Sequence, residues 1–317
     1  MRTAWTSAWG SERAARLGLR LLLGVCFLSL VRHAWLAQFA HPMADDFSYA
    51  HKDISGGLHT AAAWEYHHWN GRYSSNLLVL AGPLRAGLAD LTLYRLVPVL
   101  LILGTWLSTS LLLRAFPFAG AWRPALAGGL VWTALFTHAM PDIGEGLYWY
   151  TGAVTYQLAV ILALVQVALL IMLHRAPRPA AVFLSAITLF VAIGFNEVIM
   201  GLLLLLHLGL AAWYTRNAGR VPGHLWLLLG VAAAGSVLVM LAPGNAGRAA
   251  HFPMRHQLLP SLGMSLVQTV RFTAVWLSSP AVLASALLFL LGHDALRHRF
   301  PSLRRWEGPH WPWAVLA

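Results

Sequence analysis

The stretch AVTYQLAVILALVQVALLIML, residues 153–173, runs for 21 positions without a charged side chain. At about 1.5 Å of rise per residue a helix of that length covers about 31 Å, the hydrocarbon thickness of a bilayer. Working outward, comparable runs lie at 17–36, 93–113, 124–140, 180–195, 198–214, 224–242 and 264–291, and another begins near Trp311. The chain therefore reads as an all-α integral membrane protein, a polytopic helix bundle of about eight spans plus the start of a ninth. It forms a single transmembrane domain over 1–317 that is expected to continue beyond residue 317.

Composition agrees: 58% of residues are hydrophobic, 10% are charged and the mean hydropathy is +0.63, against about 25% charged in soluble domains. The excess of 22 Lys and Arg over 11 acids would signal nucleic acid in a soluble chain. Here it is the excess that cytoplasmic membrane loops supply, so no nucleic-acid partner is expected and the bilayer is. Cys26 is the single cysteine and sits in the first apolar run, which leaves no disulfide for the outer loops. That first run follows Arg13, Arg16 and Arg20 without an A-x-A cleavage pattern and reads as an uncleaved anchor.

With the N-terminus inside, the inner loops hold fourteen arginines, from Arg2 to Arg305, and the outer loops only a handful of cations. This satisfies the positive-inside rule with a cytoplasmic N-terminus, and because Lys52 is the only lysine, a bias toward Arg that hints at a GC-rich bacterial genome, the expected location is a bacterial inner membrane. Acids divide the other way: Asp45, Asp46, Asp53, Glu65, Asp90, Asp142, Glu145 and Glu197 fall outside. Topology does not require them there, so the outer segments, above all the first periplasmic loop at 38–92 with its amphipathic helices, are where chemistry is expected. Within that loop residues 74–90 (SSNLLVLAGPLRAGLAD) are interrupted by Pro83 and Arg85 and read as an interfacial or re-entrant helix.

Five outer motifs carry the candidate site. In ADDFSYA, the adjacent Asp45 and Asp46 repel one another and tend to separate in pKa, a pairing that suits a general base, a divalent metal or sugar hydroxyls. In WNGRYSSN, Arg72 and Asn76 stand i, i+4 on one helical face, where a guanidinium fork can hold a phosphate, with Trp69 beside them. His67 and His68 are adjacent and cannot both reach one metal from a regular element, so no zinc site is expected. YWYTGAVTYQ offers Trp149 and Tyr150 as a sugar-stacking surface or an interfacial belt, with Glu145 just before it. GFNE places Asn196 and Glu197 in a narrow turn at the bundle, and APGNAGR contributes Asn245 and Arg248. Acids and arginines converging on one outer surface fit a phosphate-bearing, hydroxyl-rich substrate.

A first span, an outer loop with an acidic pair and an amphipathic segment before the second span resemble the GT-C class of membrane glycosyltransferases. More narrowly, the five motifs together resemble an uncharacterised bacterial multi-pass membrane family related to that class, over most of residues 1–260. The resemblance implies a polyprenyl-phosphate-linked sugar as donor, a glycan or lipid acceptor, transfer on the periplasmic face, and Asp45 or Asp46 as catalytic base. A D-x-D or E-x-D form and a soluble C-terminal domain, frequent in the wider class, are not visible in these residues, and a divalent metal is the one cofactor the acids could hold. The substrate-binding set is then Arg72, Asn76, Trp69, Glu145, Trp149, Tyr150, Asn196, Glu197, Asn245 and Arg248, with Asp46 slightly preferred over Asp45 as base. A multi-pass transporter or flippase, or a non-catalytic scaffold of envelope polysaccharide assembly, is the alternative reading.

Overall fold

The computed structural model describes residues 2–116, 121–252, 257–280 and 282–283. Every regular element among them is helical: α1 (Arg2–Leu36), α2 (Asp45–Ala50), α3 (Leu58–His68), α4 (Tyr73–Leu80), α5 (Thr92–Ala115), α6 (Trp122–Ala139), α7 (Tyr150–Gly152), α8 (Leu158–Arg175), α9 (Pro179–Ile193), α10 (Glu197–Ala218), α11 (Gly223–Met240), α12 (Pro243–Ala250) and α13 (Leu258–Leu277). Two π turns, Gly144–Tyr148 and Ala153–Gln157, flank α7. The stretch 153–173 thus starts on a π turn and runs on as α8.

Five segments are long and apolar enough to cross a membrane: Arg16–Phe39, Thr92–Ala115, Tyr150–Arg175, Glu197–Ala218 and Gly223–Met240. The other runs behave differently. The run at 180–195 becomes α9, apolar but 15 residues long, because Pro179 opens it and the chain turns after Ile193. The run at 124–140 becomes α6, whose apolar residues are diluted by Arg123, Thr133, Thr137 and His138, although it packs on α1 and α5. The last run is met by α13, which begins at Leu258 and buries none of its residues; residues 284–291 and the run near Trp311 lie outside the described residues.

The main core is built from Leu, Ile and Ala side chains of α8, α9, α10 and α11, and a second cluster joins α1, α5, α6 and the π turn before α8. Polar side chains tie the same helices. Gln166 Nε2 donates to Ser185 Oγ at 2.9 Å and lies 3.2 Å from His207 Nε2, joining α8, α9 and α10. Gln157 Nε2 donates to Thr105 Oγ1 at 2.7 Å, linking the start of α8 to α5. In hydrocarbon such groups have no water to turn to, so their pairing fixes the helices relative to one another.

The first loop folds as a cap of short helices over one end of this bundle. Residues 74–90 form α4 and then a 3-10 turn, Pro83–Ala86. Arg85, the cation that interrupts the run, donates to the carbonyls of Leu80, Tyr49 and Lys52, so it satisfies the open C-terminal carbonyls of α4 and α2. The segment Tyr73-Ser74-Ser75 does the same for α9. Tyr73 Oη donates to Phe190 O, Ser74 Oγ to Val191 O at 2.8 Å, Ser74 N to Gly194 O at 2.9 Å and Ser75 Oγ to Phe195 O at 3.0 Å. A Cβ on Gly194 would stand 2.2 Å from the Tyr73 ring, so only glycine allows this approach. The cap also meets the end of α11, where Tyr66 Oη donates to Leu238 O at 2.8 Å.

Candidate functional site

Under the cap lies a cavity of about 170 Å³ walled by Asp45, Tyr49, Trp69, Asn70, Arg72, Ser75, Asn76, Trp149, Thr151, Thr155, Tyr156 and Arg248. It is assembled from four chain segments: α2, the α3–α4 junction with α4, the π turns around α7, and α12. The junction is packed tightly. Gly71 passes so close to α11 that a Cβ would meet Val239 O at 2.1 Å, and a Cβ on Gly244 would meet Trp69 N at 2.4 Å. Asn245 locks this contact, accepting from Gly71 N at 3.3 Å and donating to Val239 O at 2.7 Å.

The adjacent aspartates occupy opposite environments. Asp46 is buried at 4% exposure, and its oxygens accept four hydrogen bonds: from Thr151 Oγ1 at 2.6 Å, Thr151 N at 2.9 Å, Tyr94 Oη at 2.7 Å and Met43 N at 3.2 Å. Every lone pair is engaged, and Asp46 lines only a small void beside Tyr94 and Tyr150. Asp45 is exposed on the cavity wall, with no hydrogen bond from the described residues. Ala44, just before the pair, has φ 46° and is the one non-glycine residue with positive φ among the described residues. Strain of this kind costs about 1–3 kcal/mol and persists where the surroundings dictate it. Here it lets one carboxylate turn into the bundle and the next face the cavity.

Arg72 does not offer its fork to the cavity as the i, i+4 spacing implied. Its Nε donates to Glu197 Oε1 at 3.0 Å and Oε2 at 3.1 Å, and its Nη2 to Oε2 at 2.6 Å; Nη1 takes no part in that pair. Burial works against the Arg72 charge, but the Glu197 hydrogen bonds and charge outweigh it and hold its pKa above the usual guanidinium range. Arg248 approaches the same carboxylate, Nη1 to Oε1 at 3.8 Å, with its guanidinium 5.9 Å from the Trp69 ring centroid. Two cations thus share one anion. The Tyr49 hydroxyl is pushed well above its usual pKa, first by burial and then by Glu65 and Asp45, against the opposing pull of Arg72 and Arg248. It stays a neutral donor.

Of the expected site residues, Asp45, Trp69, Arg72, Asn76, Trp149 and Arg248 share the cavity wall. Trp149 Nε1 is buried and has no partner among the described residues. Asn76 is turned to its neighbour, Nδ2 donating to Asn70 Oδ1 at 3.1 Å, and Glu197 stands behind Arg72 as its counter-ion. The remaining members lie elsewhere. Asn196 caps α10, accepting from Val198 N and Ile199 N, and holds the π turn through Thr155 O. Asn245 is the bracket described above. Tyr150 Oη donates to Leu78 O at 2.8 Å, and Glu145 is exposed on the first π turn, away from the cavity.

Tyr49, Asn70, Ser75, Thr151, Thr155 and Tyr156 were not anticipated. Only Tyr49 had a signal, standing i+4 from Asp45; the others reach the wall through the junction turn, α4 and the π turns, which no apolar periodicity reveals. Among the described residues no group of three or more His, Cys, Asp or Glu could hold a metal ion. Asp45 is the one carboxylate among the described residues lining that wall, and the Arg72 and Arg248 charges on the same wall oppose a cation. No family model, no curated protein and no solved structure matches the chain.

Proposed function

We propose that the protein is a membrane glycosyltransferase that moves a sugar from a polyprenyl-phosphate donor to a glycan or lipid acceptor, and that Asp45, not Asp46, is its base. One observation carries the reading: a free carboxylate, two arginines and the indole of Trp149 line one cavity at one end of an apolar bundle. Transfer needs such a set. The acceptor hydroxyl oxygen attacks the anomeric carbon while its proton passes to Asp45. The bond from that carbon to the phosphate oxygen breaks, and the phosphate leaves with the electron pair, inverting the centre. Arg248, with Arg72 behind it, supplies positive charge for the phosphate oxygens, and Trp69 and Trp149 supply faces for the sugar.

In the same reading the chain crosses the inner membrane of a bacterium eight times, with the N-terminus cytoplasmic and the cavity on the periplasmic side. Two things support it. The ends of α9 and α11 and the beginnings of α5, α8 and α10 all meet under the cap, as alternating spans require. Of the fourteen inner arginines of the sequence, the ten from Arg2 to Arg220 fall toward the opposite ends of the described helices, and the other four lie outside the described residues.

The test is Asp45→Asn in native membranes, followed by transfer of a radiolabelled sugar from polyprenyl phosphate and by the envelope glycan profile. A loss of about 10²-fold or more in transfer, with unchanged membrane abundance, is the expected result. Full activity in this variant would leave the cavity to a scaffold or transport role.

A further inference from the structure

A second cavity, of about 420 Å³, lies in the cap and is bounded by Lys52, Asp53, Thr60, Trp64 and Glu65. At its base Glu65 is fully buried, at 0% exposure. Lys52 Nζ donates to Glu65 Oε1, while Oε2 has no hydrogen-bond partner among the described residues. A buried carboxylate oxygen left without a donor is costly, and proteins keep such atoms where something else completes them. The Lys52 ammonium stands 4.9 Å from the Tyr49 ring centroid and 5.0 Å from that of Trp64, with one of its three donors engaged on Glu65. Trp64 is held by its stack on His68, centroids 4.7 Å apart and planes 15° apart, yet remains 52% exposed.

Tyr49 belongs to the wall of the first cavity and touches Lys52 of the second, so one ring divides the two. On one side stand Arg72, Arg248 and Asp45; on the other is a neutral Lys52–Glu65 pair with spare donors and a spare acceptor. Asp53, tied to Ser55, adds a further carboxylate to the same lining, so a phosphate or other anion finds no excess positive charge there. A ring of neutral hydroxyls gains at both groups, and its C–H face can lie on the Trp64 and Ala61 side of the cavity. Size points the same way, since about 170 Å³ is less than the roughly 300 Å³ at which small-molecule pockets begin. Both reactants do not fit on the first side.

We propose that the Lys52–Glu65 cavity is a binding subsite for an uncharged saccharide, and that it seats the acceptor sugar across Tyr49 from the phosphate. The word acceptor rests on the glycosyltransferase reading; the saccharide site rests on the cavity itself.

The experiment uses the full chain in lipid nanodiscs and saturation-transfer NMR with a panel of glucose, galactose, mannose and N-acetylglucosamine. A parallel titration with polyprenyl phosphate reports the first cavity. The expected result is binding of at least one neutral sugar that weakens about tenfold in Trp64→Ala, the loss of a stacking face, and about tenfold in Glu65→Gln, the loss of one hydrogen bond to a charged group, and that is unchanged in Arg248→Ala. Trp64→Ala changes a half-exposed side chain and keeps the test valid if Glu65→Gln does not accumulate. No binding by any sugar of the panel, or binding lost in Arg248→Ala and kept in Trp64→Ala, overturns the proposal. Failure of polyprenyl phosphate to bind while the sugar still does would instead sink the donor reading and leave this site standing.

Discussion

Replacing Asp46 by Asn tests the proposal that Asp45, and not the buried Asp46, is the base. All four groups around it are donors: Thr151 N, Thr151 Oγ1, Tyr94 Oη and Met43 N. An amide must set its NH2 against one side. Either hydroxyl can rotate to accept, but neither backbone N–H can, so one backbone amide is orphaned whichever way the side chain turns, the buried one of Thr151 or the part-buried one of Met43. That costs about 1–3 kcal/mol, and the three remaining bonds lose their charge assistance, offset in part by the cheaper desolvation of an amide. A net destabilisation of about 2–4 kcal/mol is expected, a fall of several degrees in the midpoint of thermal aggregation followed by fluorescence-detected size exclusion in detergent. Asp45→Asn should leave that midpoint unchanged, because Asp45 accepts no bond from the described residues. A normal melting profile for Asp46→Asn, joined to lost transfer, would refute the reasoning and return the base to Asp46.

Arg248→Ala removes a half-exposed group whose pair with Glu197 is long, so its folding cost should stay under about 1 kcal/mol. The KM for the polyprenyl-phosphate donor should rise about tenfold, and an unchanged KM would remove Arg248 from the phosphate. Gly71→Ala drives a Cβ to 2.1 Å from Val239 O; a loss of about 2–3 kcal/mol in the same melting assay is expected, with activity falling as Arg72 is displaced. Tyr49→Phe bears on pH. Burial raises the folded pKa of Tyr49 above its unfolded value, so its neutral hydroxyl favours the native state below about pH 10 and that contribution fades as pH climbs higher. Melting curves from pH 8 to 11 should show a shallower alkaline decline for Tyr49→Phe than for wild type, and parallel curves would contradict the buried hydroxyl.

Helical, membrane-embedded architecture was legible from composition and run length, because hydrocarbon leaves an unpaired backbone no alternative to a helix. Span count was less so: the run at 180–195 does fold as α9, but at 15 residues it is a shorter apolar helix beside five segments long and apolar enough to cross a membrane. The five motifs stood out as well, since acids with no topological reason to be there are conspicuous in an apolar chain. Their roles were not. Glycines at 71, 194 and 244 are places where two backbones meet, and nothing local states which backbone is the partner.

By itself the sequence determined that this chain is a helical membrane protein whose polar chemistry gathers in ADDFSYA, WNGRYSSN, YWYTGAVTYQ, GFNE and APGNAGR. Only the tertiary structure decided which of Asp45 and Asp46 is buried and which faces the cavity, because successive side chains on a helical turn face about 100° apart and what each meets comes from far away. Thr151, the donor that claims Asp46, lies 105 positions along the chain, and Glu197, which occupies the Arg72 fork, lies 125. Pairings at that distance are set by how α9, α10 and α11 bring their ends under the cap, and helical periodicity carries no record of them.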